Sequence, residues 1–319
     1  MKTYLDFAST TPMATEVIEG MHAVMSEASF GNPSSLDHEY GIKAKNIIEE
    51  SRNEVASLIN AKPEEIVWTS GATESNNLAI VGFHQFQYKN QALRFVTSHL
   101  EHKSVIESLQ SVEALGSNVS YIQPNNDGQI DIETFTSQMD PNTTFVSCMH
   151  INNETGAVND IANIGRYCRK NEIIFHVDAA QSVGKIPIDV NDMCIDLMSM
   201  SAHKVYGPKG VGALYINKDS VGRVKSLIVG GGQERGMRSG TLPTHQIAGM
   251  GIAYRISKQR MTEDLEHIKE CRDAFLEKLS ILHGWRINGS TDNAFPGILS
   301  ISFPDLYSES LIYAMEDFA

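Results

Sequence analysis

Six short, almost continuously apolar runs alternate along the chain with stretches of helical periodicity. The runs are the strand within "EEIVWTS", then "LRFVTS", "TTFVSCMHI", "EIIFHVDAAQ", "DLMSMS" and "VGALYI". Each is too short to be a helix and too apolar to leave one face in water, which predicts strands covered on both sides. Between them, "EHKSVIESLQSVEALG" and "IANIGRYCRKN" place apolar residues three and four apart, and an earlier stretch does the same at Ile47, Ile48, Val55, Leu58 and Ile59. Strands alternating with amphipathic helices predict an α/β fold, a buried parallel sheet between two helical layers.

Several segments fall outside this alternation. "TYLDFA" reads as a short N-terminal strand, and "ATEVIEGMHAVMSEA" as a helix. From Val229 the texture becomes polar and glycine-rich, "VGGGQERGMRSGTLPTHQ", as functional loops often are. A long helical region follows from about Ile247 to Leu282, then a strand in "ILSISF" and a last helix in "SESLIYAMEDF". That final set reads as the start of a second, smaller domain.

Net charge is −13, with no basic stripe to offset it, which argues against nucleic acid or an anionic membrane as partner. An anionic ligand must therefore be held by local donors. Cys148, Cys168, Cys194 and Cys271 are widely spaced, with no C-x-x-C pair, and read as reduced, mostly buried thiols of a cytoplasmic protein. No apolar run approaches the roughly 18 residues of a membrane span, and the N-terminus lacks a signal-peptide layout.

The candidate chemistry lies where apolar strands end, the edge at which open α/β sheets bind ligands. Asp178 closes "IFHVD"; it suits a helix N-cap, or the ring-nitrogen partner that pyridoxal 5'-phosphate (PLP) needs. Lys204, after "LMSMSAH", is either a surface lysine whose stem covers apolar atoms or a Schiff-base lysine activated by desolvation. "TSGATES" puts a glycine at a strand-to-helix turn, leaving backbone N–H groups for a phosphate, with Thr73 as a hydroxyl donor. Ser201, His203 and Thr241 are further candidate phosphate donors. His102 suits stacking on a flat ring and proton transfer, and no third ligand turns it and His99 into a metal pair. Asn153 suits a ring hydroxyl, while its neighbour Asn152 suits a turn.

Taken together, "YLDFASTTP", "GNPSS", "TSGATESNNLAI", "EHKSV", "NNETG", "HVDAAQSVGK", "SAHKVYGPKGVGALY" and "GGGQERGMRSGTLP" resemble, in order and spacing, the NifS/IscS-type cysteine desulfurases. These are class V, fold-type I PLP enzymes, and the resemblance spans the whole chain. It implies a three-layer α/β/α PLP-binding domain over about residues 15–255, with residues 1–14 and 256–319 forming a partial small domain. Lys204 matches the lysine bound covalently to PLP, His102 the ring-stacking histidine, and Asp178 the pyridinium partner. Gln181 and Asn153 match contacts to the ring and its phenolic oxygen. Ala72, Thr73, Ser201 and His203 match phosphate positions, and Thr241 a phosphate contact donated by the neighbouring subunit of a homodimer. The implied reaction takes L-cysteine to L-alanine and delivers persulfide sulfur to an iron–sulfur scaffold or other acceptor protein.

Members of this family continue past the position of Ala319 into a mobile loop with a pattern like SSGSACTS, whose cysteine takes the sulfur. Further on they carry an arginine for the substrate carboxylate. The expectation is therefore a desulfurase without its C-terminal part, its four cysteines being structural thiols. The alternatives are a PLP-binding remnant that acts by dimerising or docking, or another class V enzyme such as a selenocysteine lyase.

Overall fold

The computed structural model describes residues 3–26, 29–88, 92–315 and 318. Two helices come first, α1 (Thr15–Val24) and α2 (Glu39–Leu58). The alternating part follows as β1 (Ile66–Thr69), α3 (Ala72–Gln87), β2 (Arg94–Ser98), α4 (Lys103–Ala114) and β3 (Asn118–Ile122). It continues through α5 (Ile132–Ser137), β4 (Phe145–Met149), α6 (Ile161–Lys170), β5 (Ile174–Asp178), β6 (Leu197–Ser201) and β7 (Gly212–Ile216). The chain closes with α7 (Thr244–Leu279), the two-residue strands β8 (Arg286–Ile287) and β9 (Ile301–Ser302), and α8 (Ser308–Ala314).

Seven strands form one sheet in the order β1-β7-β6-β5-β4-β2-β3. The expected all-parallel sheet is in fact mixed, because β7 runs against both its neighbours, β6 and β1. The cause is local. Only residues 202–211 join β6 to β7, too few for the helical crossover that a parallel return needs.

Adjacent residues on each strand face opposite layers. Val96, Val146, Phe175 and Met198 pack with α2, α6 and α7, whereas Phe95, Phe145, Ile174 and Leu197 pack with α3 and α4. This two-sided burial is why the strands read as continuous apolar runs. Three of their polar members pair internally: His176 Nδ1 meets Ser147 Oγ at 2.8 Å, and its Nε2 meets Ser199 Oγ at 3.0 Å.

The N-terminal segment differs from expectation. "TYLDFA" is not a strand beyond a bridge from Thr3 to Phe318; the Tyr4 hydroxyl instead donates to the carbonyls of Asp6 and Thr10 and folds the segment into turns. Within "ILSISF" the strand is confined to Ile301–Ser302, which pairs with the two residues of β8. Of the expected terminal helices, Glu27, Ala28, Glu316 and Asp317 lie outside the described residues. The long helix α7 runs unbroken through position 255. A third apolar cluster of Ile151, Phe295 and Ile298, with Ala8, Ile186, Leu265 and Ile268 against it, ties the N-terminal and C-terminal segments to the sheet's C-terminal edge.

Candidate active site

Because β1, β2, β4, β5 and β6 run in the same direction, their C-terminal ends lie along one edge. A cavity of about 640 Å3 opens there, lined by the segments that follow these five strands and by the N-terminal turn.

The turn after β1 shapes one wall. Gly71 has φ +152, a conformation costly for a side chain, and a Cβ there would point into open space. Ala72 and Thr73 begin α3, and the first intrahelical bond is donated by Ser75 N to Gly71 O. The N–H groups of Ala72 and Thr73 thus have no acceptor within the helix and border the cavity at its positive end. Glu74 is held at the same helix end by Arg238, with Nε to Oε1 at 2.8 Å. Burial works against the Glu74 charge, but Arg238 and the Ser70 N–H more than offset it and keep its carboxyl below the usual range.

Asp178, buried at the end of β5, accepts from Ala180 N at 3.0 Å and from Asn76 Nδ2 at 2.9 Å. The same Asn76 nitrogen donates to Ser104 Oγ at 2.8 Å, and Ser104 Oγ lies 2.8 Å from His102 Nδ1. One hydrogen-bonded chain thereby joins the carboxylate to the histidine. Ser104 N also donates to His102 Nδ1, the N-cap bond of α4. A backbone N–H can only donate, so Nδ1 is the acceptor and the neutral ring carries its proton on Nε2.

Lys204 is half-buried in the turn after β6, and its Nζ donates to the carbonyls of Ala8 and Ser9, both at 2.6 Å. Desolvation pushes its amine below the ordinary lysine range, although Asp6 and Asp178 pull the other way. His203 is pushed down to about 4, by desolvation and then by Lys204, Lys209 and Lys185. Gln181 donates from Nε2 to Ala8 O at 2.7 Å.

All the sequence-predicted site residues except Thr241 line this one cavity. Thr241 is exposed outside it. Of the two asparagines, Asn152 holds the turn, its Oδ1 accepting from Glu154 N and Thr155 N, and Asn153 faces the cavity. Sequence reasoning passed over Asn76, although a polar residue in register with buried Ala79, Ile80 and Phe83 on α3 was a usable signal. It also passed over Ala8 and Ser9, which contribute only backbone carbonyls and so leave no signature. Among the cysteines, Cys148 and Cys168 are buried as expected, but Cys271 is exposed on α7 and Cys194 only partly covered. None of the four lines the cavity among the described residues.

An open cup at a helix N-terminus, a desolvated lysine amine and a buried carboxylate around one cavity suit a flat, phosphorylated aldehyde, and the donor set fits PLP. Residues 3–317 match the profile of the aminotransferase class-V family. Cysteine desulfurase IscS of Tolumonas auensis is 48% identical over 317 residues, covering 99% of this chain and 78% of that protein. Cysteine desulfurase IscS of Vibrio cholerae serotype O1 (strain M66-2) is 46% identical with the same coverage. Among solved structures, a NifS-like protein superposes with a TM-score of 0.94 at 34% identity, over 99% of this chain and 86% of that one. SspA in complex with cysteine superposes with a TM-score of 0.85 at 36% identity, over 100% of this chain and 88% of that one.

Proposed function

Because the chain belongs to the aminotransferase class-V family, we propose that it is a PLP-dependent cysteine desulfurase, converting L-cysteine to L-alanine and passing the sulfur to a thiol as a persulfide. The observation that carries this reading is the meeting of Lys204, Asp178 and His102 around one cavity with a phosphate cup at its wall.

In this reading Lys204 is the covalent anchor, its amine kept nucleophilic by desolvation. The N–H groups of Ala72 and Thr73, with Ser201 and His203, hold the phosphate. Asp178 keeps a proton on the ring nitrogen, and Gln181 and Asn153 address the phenolic oxygen. Bound PLP supplies an electron sink for charge that develops at the substrate Cα. His102 moves a proton through Nε2, the nitrogen its N-cap bond leaves free. Overall, the Cβ–S bond of cysteine breaks, a sulfur–sulfur bond forms on the acceptor thiol, and Cβ gains a proton. With no cysteine lining the cavity among the described residues, the acceptor thiol reaches it from elsewhere.

The reading extends to a homodimer in which Thr241 serves the partner's phosphate, supported by the exposure of that loop, where Val229 is 82% exposed. It also divides the chain into a PLP domain over about residues 15–255 and a small domain from 1–14 and 256–319. An iron–sulfur scaffold or similar protein receives the sulfur, in a cytoplasm where the four free thiols stay reduced.

The test is alanine and sulfide release from L-cysteine by the PLP-loaded chain with excess dithiol, with Lys204→Ala as control. Turnover that depends on Lys204 supports the reading. A yellow protein without turnover favours a PLP-binding partner protein instead.

A further inference from the structure

Lys185 has no place in the chemistry above, yet it lies against the site. It is partly buried, and no carboxylate pairs with it among the described residues. Even partial burial of an ammonium without a counter-charge costs free energy unless its donors are used. Its Nζ donates to Gln181 Oε1 at 2.9 Å and sits 5.6 Å from the centre of the Phe295 ring. Turn-like bonds from Lys185 N and Ile186 N to Ser182 O wind residues 179–186 so that positions 181 and 185 adjoin.

Lysine has only donors, whereas the glutamine amide has one oxygen and an NH2 that can exchange places by a flip. With Oε1 committed to Lys185, the NH2 must turn the other way. One of its hydrogens goes to Ala8 O, the same carbonyl that accepts from Lys204 Nζ, and the second remains for the cavity that Gln181 lines.

We propose that Lys185 is a positioning residue that locks the Gln181 amide so that a donor faces the cavity, selecting a ligand with an aromatic oxyanion. The inference rests on the PLP reading, where the phenolic oxygen is that group. Desolvation and then the Lys204 charge push Lys185 down to about 7. Other titratable or charged groups on this edge are Asp6 and Asp178, which act on Lys204, the His203 imidazole, which Lys185 and Lys209 affect, and Glu74, His102 and Glu154 on the cavity wall.

The test titrates PLP into the cofactor-free wild type, Lys185→Met, Lys185→Arg, Gln181→Ala and the Lys185→Met/Gln181→Ala double variant. It reads the dissociation constant and the pH dependence of the bound-cofactor absorption. Lys185→Met should weaken PLP by about tenfold, one net hydrogen bond's worth, and shift the absorption titration. Lys185→Arg, which keeps a donor, should restore both. The double variant should be no weaker than Gln181→Ala alone, because Lys185 acts through that amide. Wild-type affinity in Lys185→Met, or multiplying effects in the double variant, would overturn the proposal. Should Lys185→Met lose its native melt, Gln181→Glu decides. It pairs with Lys185 and presents no donor, so PLP must bind at least about tenfold more weakly; wild-type affinity there also overturns the proposal. A wild type that binds no PLP removes the cofactor reading itself, a result distinct from these.

Discussion

Arg52 on α2 clasps the carboxylate of Glu234 with both terminal guanidinium nitrogens, each at 2.8 Å, and both side chains are almost completely buried. Glu234 also accepts from Trp68 N in β1, and its neighbour Arg235 donates to Ile66 O. The glycine-rich loop is thus pinned to β1 across two residues in left-handed conformations, Glu234 at φ 50 and Arg235 at φ 58. Arg52→Met leaves a buried carboxylate without its cation and should cost about 3–5 kcal/mol in a urea titration. A loss below about 1 kcal/mol would mean that the pair is solvated.

Lys204→Ala should abolish the yellow absorption of the PLP-loaded chain; among the described residues Lys209 is the one other lysine lining the cavity. Spectra before and after gel filtration check this, and colour that survives in the variant would move the anchor to Lys209.

Asp178→Ala removes a carboxylate that lines the cavity and leaves the Asn76 NH2 without one of its acceptors. A charge-assisted hydrogen bond is at stake, so PLP affinity should fall roughly tenfold to a hundredfold. Fluorescence titration with PLP measures it, and an unchanged dissociation constant would contradict the pyridinium role.

Gly212→Ala tests the close approach that shapes the cup at the start of α3. A Cβ at Gly212 would sit 2.5 Å from Met200 O and 2.6 Å from the Gly71 Cα, both backbone atoms that cannot swing aside. The expected loss is about 1–3 kcal/mol of stability, with weaker binding of inorganic phosphate at the helix terminus. Thermal melts with and without phosphate separate the two effects.

Acid should destabilise the fold through histidines buried in their neutral form. Burial pushes His150 down to about 4 and His176 to about 3, and His203 behaves similarly. Between those values and the ordinary 6.5 the unfolded chain binds more protons, so stability falls as pH drops through that window. Each fully buried histidine contributes a slope of about 1.4 kcal/mol per pH unit. Glu101 and Asp196 oppose them: burial, reinforced at Glu101 by Asp178, holds the Glu101 carboxyl well above the usual range and raises that of Asp196, so both favour the folded state on the acid side. Three depressed histidines outweigh those two carboxyls, and melting temperatures at pH 7.5, 6 and 5 should decline in order.

The fold class was legible because burial on both faces leaves an unmistakable pattern. Phe145, Val146, Phe175 and Val177 must be apolar whichever way they point. Asp178, Lys204 and His102 were legible for a related reason, since each is a chemical side chain placed directly after such a run, at the edge where parallel strands end. The reversed β7 was not legible, because an apolar strand reads the same in either direction and only the short connection from β6 decides it.

What the sequence determined by itself is the periodicity, the strand ends and the identity of the reactive side chains, all local properties of neighbouring residues. Only the tertiary structure decided that the Ala8 carbonyl, far away in the chain, would accept from both Lys204 and Gln181. It also decided that Asn76 and Ser104 would link Asp178 to His102, and that Lys185 would hold the Gln181 amide. These contacts depend on backbone atoms and on unremarkable polar side chains, whose partners are set by how the chain packs and carry no mark along it.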